Sequence, residues 1–121
     1  MYSADDLTLS ELCGQLLCLD VSDKDDPATV ERLVREMKPG GIFVAGMTPE
    51  KIRLYRDMVN RYTKIPCIVA ADVEYGPGLA IKGIPTLPHP MAWGASHDPV
   101  SVERAGYLTA VICKEAGIDY T

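Results

Sequence analysis

The chain has 121 residues, 47% of them hydrophobic and 24% charged, an ordinary globular composition with enough apolar material for a core. A formal net charge of -5 argues against a nucleic-acid partner, whose phosphates require a basic surface. No apolar run approaches the ~18 residues of a membrane helix, and residues 1–9 lack the basic and apolar segments of a secretory leader, so neither a membrane span nor export is expected.

Thr8 and Glu11 have the spacing of a capping box, in which each side chain satisfies a backbone N–H of the other residue. They predict a short helix over residues 9–14. The apolar run from Leu16 to Val21 reads as a buried strand. Asp26-Pro27, Thr48-Pro49 and Asp98-Pro99 each place a capping side chain before a proline, whose missing N–H costs nothing in the first turn. The helix after Asp26 carries Val30, Leu33, Val34 and Met37 on one face and ends at Pro39-Gly40-Gly41. The helix after Thr48 carries Ile52, Tyr55, Met58, Val59 and Tyr62. The helix after Asp98 carries Val102, Ala105, Thr109, Ile112, Cys113 and Ala116, with Gly117 as its stop.

Between the helices, residues 41–45 and 66–72 are short apolar runs bounded by Gly or Pro, the pattern of parallel strands buried on both faces. Residues 118–121 open a fourth strand. Repeated strand–helix alternation means parallel strands, so the fold class is α/β. Spacing alone leaves two architectures open: an arc of a (β/α)8 barrel, which closes at about 250 residues, or a flavodoxin-like open sheet.

Residues 73–98 show no period and are rich in Gly and Pro. Loops this long in compact domains carry function or are disordered. Leu79, Ile81, Ile84, Leu87, Met91 and Trp93 argue for order. The loop follows a strand, so it lies at the edge where α/β folds place their sites. Asp72 ends that strand and is the leading candidate for a ligand contact; the alternative is a carboxylate capping loop N–H groups. Asp20 also ends a strand, and a solvated or capping role is expected for it.

Cys13, Cys18, Cys67 and Cys113 lie in apolar segments with no C-x-x-C pair and no neighbouring His, so they read as structural thiols in a reducing cytoplasm. His89 and His97 are eight apart in a Pro-rich loop and read as loop packing. No metal site and no cofactor is expected, and the G-x-G-x-x-G phosphate loop is absent.

Five segments in series resemble family 3 glycoside hydrolases. Leu7-Thr8-Leu9-Ser10-Glu11 with Gly14-Gln15-Leu16 is similar to the opening LTLEEKIGQL, and Gly40-Gly41-Ile42 to the second strand's GGI. Ile65-Pro66 through Gly76 resembles IPLLIAIDQEGG. Leu87-Pro88 with Met91–Ala95 and Asp98-Pro99 resembles FPSNMALGATNDP, and Ala116-Gly117-Ile118-Asp119 resembles ALGIN. The resemblance covers nearly the whole chain. It implies that residues 1–121 are the N-terminal portion of one catalytic barrel domain: a partial TIM-type (β/α)8 barrel, three β/α units plus the start of a fourth strand.

The family consists of exo-acting retaining β-glycosidases, including β-glucosidases and β-N-acetylglucosaminidases, so the implied partner is a β-linked saccharide. By resemblance, Asp72 binds hydroxyls of the sugar to be cleaved. Glu74 matches the same motif more weakly, with loop anchoring as its expected role. For Trp93 a sugar platform is the alternative, but its match to an apolar family position favours the core. Tyr75 stands where the family has a Gly after the Glu, and Ala80 where an Arg is common; both imply a different subgroup or a remodelled subsite. The family's nucleophile, acid/base and sugar-binding Lys-His pair lie beyond Thr121, so no catalytic residue is expected in this chain. A non-catalytic sugar-binding or interaction module of the same fold is the alternative. A lyase or aldolase would want a Lys at a strand end, and no strand ends in one. The isolated chain is expected to self-associate through its open seam.

Overall fold

A computed structural model describes residues 3–121; Met1 and Tyr2, which belong to the stretch read as lacking a leader, lie outside the described residues. In chain order the elements are α1 (Leu9–Gln15), β1 (Cys18–Ser22), α2 (Pro27–Met37), β2 (Gly41–Ala45), α3 (Pro49–Tyr62), β3 (Ile68–Ala70), α4 (Pro90–Ser96) and α5 (Pro99–Ala116), with 3-10 turns at Ala4–Asp6 and Pro77–Leu79. Three helix starts follow the Pro rule: Asp26 accepts from Thr29 N–H at 3.0 Å, Thr48 from Lys51 N–H at 3.4 Å and Asp98 from Ser101 N–H at 3.2 Å. Caps of this kind contribute about 1 kcal/mol each.

The capping box of α1 is complete and does more than cap. Glu11 accepts from Thr8 N–H at 2.9 Å and also receives Lys64 at 3.2 Å and Lys38 at 3.3 Å, tying α1 to the ends of α3 and α2. The hydrogen bonds from Thr8, then that from Lys64, outweigh burial and hold the Glu11 carboxyl down at about 2. A depressed folded-state value means stability that is present above the ordinary carboxylate range and lost as pH falls through it toward 2. Glu11→Gln is therefore expected to unfold at a lower temperature than the parent at pH 6, with the gap closing by pH 2; melting curves across that range check it.

Gly14 and Gly40 explain how α1 meets the start of β2. Gly40 N–H donates to Gly14 C=O at 3.0 Å. A Cβ on Gly14 would lie 2.4 Å from the Lys38 carbonyl oxygen, and one on Gly40 would lie 2.5 Å from that of Gln15. Backbone meets backbone here, and only glycine fits.

The three strands are parallel in the order β1-β2-β3, and Tyr120 bridges in parallel to Ala70 on the far side of β3. The order runs with the sequence and contains no reversal. Leu19 and Val21, Ile42 and Val44, and Val69 share one sheet face by register and alternation. They join one core with Val30 and Val34 of α2, Ile52, Tyr55, Met58 and Val59 of α3, and Cys113 and Ala116 of α5. All three long helices therefore cover the same face. A flavodoxin-like sheet reverses its strand order and carries helices on both faces, and neither feature is present among the described residues.

The other face is open. Cys18, Asp20, Phe43, Ala45, Ile68 and Ala70 lie on it exposed or half-buried, with Ile68 at 58% exposure. The expectation that the strands are buried on both faces is corrected: among the described residues, nothing covers this side. The stripe of α5 is likewise buried only in its last turns, at Cys113 and Ala116, while Val102 is 41% exposed.

Candidate functional site

The open face changes character along the strands. At its N-terminal end Cys18 and Ile68, with Leu16 and Leu17, line an apolar groove of about 260 Å3. One layer on, Asp20 lies in register with Phe43, and Phe43 with Ala70. Past the C-terminal end of β3 comes Asp72, which the period of two places on this same face. Apolar groups thus lie at one end and, toward the other, carboxylates that are unpaired among the described residues.

Asp72 is exposed, and among the described residues no hydrogen bond or ion pair engages it. A carboxylate capping its own loop would accept at least one N–H, so the capping alternative has no counterpart here. Glu74 is also exposed, and among the described residues no hydrogen bond or ion pair engages it. It lines a cavity of about 560 Å3 between the segment after β3 and α5, with Tyr75, Leu87, Trp93, Thr109 and Thr121. Trp93 is half-buried at the wall of this cavity and lies outside the core cluster, contrary to its expected core position.

The long loop is ordered, as its apolar content suggested, and other residues fasten it. Met47, just after β2, donates to Ala80 C=O at 3.0 Å and accepts from Lys82 N–H at 2.9 Å, while Ala80 and Ile81 are buried beneath. The Ala80 position is 1% exposed and leaves no room for an arginine without rearrangement. Lys82 forms an ion pair with Asp23, which Lys51 also meets at 3.4 Å, and Tyr55 Oη donates to Asp25 C=O at 3.2 Å. These contacts join the loops after β1, β2 and β3 into one rim, a role that the sequence reading missed.

Tyr75 stacks on His89 with ring centroids 4.4 Å apart, and Leu87 N–H donates to Tyr75 C=O at 2.7 Å. The two ends of the loop are pinned together there. His89 precedes α4 and His97 follows it in a left-handed conformation, so both serve loop geometry, as read from the sequence. Among the described residues no group of three or more His, Cys, Asp and Glu side chains could hold a metal ion. All four cysteines are free; Cys67 and Cys113 are buried, Cys13 and Cys18 exposed. Burial pushes the Cys67 thiol up to about 11. No helix among the described residues is long and apolar enough to cross a membrane.

No family model and no curated protein sequence matches the chain. Solved structures do. A beta-glucoside phosphorylase, BglX, bound to 2FGlc superposes with a TM-score of 0.80 at 23% identity, over 94% of this chain and 21% of its own. A glycoside hydrolase family 3 beta-N-acetylglucosaminidase from Paenibacillus sp. str. FPU-7 superposes with a TM-score of 0.76 at 21% identity, over 93% of this chain and 23% of its own. The chain spans between a fifth and a quarter of the length of these structures. The chain therefore shares its fold with a segment of each of these two enzymes.

Proposed function

We propose that residues 1–121 are the opening part of a (β/α)8 barrel that cleaves β-glycosidic linkages, a member of glycoside hydrolase family 3, and that Asp72 holds hydroxyls of the sugar. One observation carries this reading: an exposed, unengaged carboxylate stands at the C-terminal end of β3 in a fold shared with two enzymes named for β-linked sugars. Sequential strand order with helices on one face suits an arc of a barrel. The open sheet face would then be the barrel interior, sealed by apolar side chains at the bottom and polar at the top. An ionised carboxylate can accept from two adjacent sugar hydroxyls, and such bonds strengthen in an oxocarbenium-like transition state.

The substrate is a β-glucoside or β-N-acetylglucosaminide, and water is the acceptor. No cofactor or metal enters this scheme. Four free cysteines suit a reducing cytoplasm, where we place the protein.

Retaining cleavage passes through a covalent glycosyl-enzyme. In the complete protein, a 2-deoxy-2-fluoro-glucoside, or a 5-fluoro N-acetylglucosaminide that keeps its 2-acetamido group, is expected to label one carboxylate outside residues 1–121, in buffer without phosphate. Peptide mapping reads the position, and a label on any residue of 1–121 would overturn the assignment. The non-catalytic alternative draws on one observation, the Tyr75–His89 stack where the family has a glycine. It requires sugar binding with no label anywhere.

The isolated chain should also self-associate, since Ile68 and Tyr120 stand exposed on or beside an open parallel sheet. Sedimentation is expected to show species above 13.2 kDa, and a monodisperse folded monomer would refute this.

A further inference from the structure

Beyond β3 the chain returns along its outer edge in an unusual way. Val69 N–H donates to Asp119 Oδ2 at 2.9 Å, so a side-chain carboxylate occupies the place that a strand carbonyl would take. Val69 C=O accepts from Asp119 N–H at 2.8 Å and from Tyr120 N–H at 3.1 Å, and Ala71 N–H donates to Tyr120 C=O at 3.0 Å. The same Asp119 oxygen receives the guanidinium of Arg56 from α3. Arg56 Nε is buried with no hydrogen-bond partner among the described residues, so Asp119 supplies the polar contact that holds the guanidinium.

The approach to this contact is built as well. Gly117 ends α5 with φ 95°, a left-handed conformation that turns the chain back toward β3. Arg56 Nη1 lies 3.7 Å from the position a Cβ would take on Gly117. Arg53 Nη1, one turn earlier on α3, donates to Glu115 C=O at 3.2 Å. Two arginines of one helix thus seat the end of α5 and the residues after it.

We propose that Arg56 and Asp119 form a clasp that fixes the outer edge of β3 and thereby positions Asp72. β3 has only three residues, and the clasp holds Val69 directly and Ala71 through Tyr120. Ala71 is the residue immediately before Asp72, which among the described residues has no hydrogen-bonded partner of its own to place it. A sugar contact made by Asp72 depends on this edge, so Asp119 and Arg56 are positioning residues for it. The clasp itself stands on the hydrogen bonds above, and only its consequence for turnover rests on the sugar-binding reading of Asp72.

Native-state amide exchange on the complete protein tests the clasp. Asp119→Ala is expected to speed exchange at Val69 and Ala71 by about tenfold or more relative to the amides of β2 in the same sample, the signature of a local opening. Asp119→Asn keeps an oxygen for Val69 N–H and should restore most of that protection, whereas Arg56→Met, which spares the carboxylate, should give an intermediate loss. Equal acceleration in β2 and β3, or no rescue by Asp119→Asn, would overturn the proposal. In the complete protein, Arg56→Met should lower kcat/KM for an aryl β-glucoside, and this loss should disappear in an Asp72→Ala background. Additive losses would overturn the positioning role. A silent Asp72→Ala would instead refute the sugar-binding reading, leaving the exchange result to judge the clasp.

Discussion

Residues 1–121 on their own are expected to release no aglycone from aryl β-glycosides. Retaining cleavage needs two carboxyl groups about 5 Å apart, and inverting cleavage needs them about 6.5–9.5 Å apart. Among the described residues, Asp20 and Asp72 are the carboxylates on the open face that no hydrogen bond or ion pair engages. They lie two strands apart, and Asp72 is one pleat repeat further along, because Phe43 is in register with both Asp20 and Ala70. Strand spacing of ~4.8 Å and a rise of ~3.3 Å per residue put their backbones roughly 12 Å apart. Each carboxyl carbon reaches ~2.5 Å from its Cα, so the two carboxyl groups stay at least ~7 Å apart, wider than a retaining pair. Glu74 faces a separate cavity beside α5. A discontinuous assay on chain purified through two orthogonal steps should match buffer, and activity that copurifies with the chain at constant specific activity would contradict the division of labour proposed here.

In the complete protein, Asp72→Ala should be nearly as damaging. Hydrogen bonds to a charged group contribute about 1.5–3 kcal/mol each. Losing two that tighten as the sugar flattens would lower kcat/KM by roughly two to four orders of magnitude, at 1.36 kcal/mol per tenfold. Folding should be little affected, because Asp72 is exposed and, among the described residues, supports no hydrogen bond or ion pair. A conservative Asp72→Asn would keep the shape and one acceptor while removing the charge, and should fall between the parent and the alanine variant.

The elements were legible wherever local chemistry specifies them. Asp26, Thr48 and Asp98 before proline mark three helix starts, and Gly117 marks the end of α5. α4 escaped because His89 makes no side-chain cap, and seven residues with Ala92, Gly94 and Ala95 show no apolar stripe. β1 was read two residues early, because Leu16 and Leu17 are apolar yet exposed at the turn out of α1. The open sheet face was not legible at all. An apolar run such as Ile68-Val69-Ala70 says that its side chains suit burial, and nothing about which polypeptide would bury them. At the site, the end of β3 pointed to Asp72 directly. The rim around it did not show, since the Asp23–Lys82 pair joins residues 59 positions apart and leaves no local pattern.

The most direct measurement takes kcat/KM and Tm from a single preparation of Asp72→Ala in the complete protein, against an aryl β-glucoside and an aryl β-N-acetylglucosaminide. Sugar binding by Asp72 predicts a loss of about 100-fold or more in kcat/KM on the preferred substrate, with Tm close to that of the parent. A lowered Tm with near-parental kcat/KM would make Asp72 a structural residue and contradict the account.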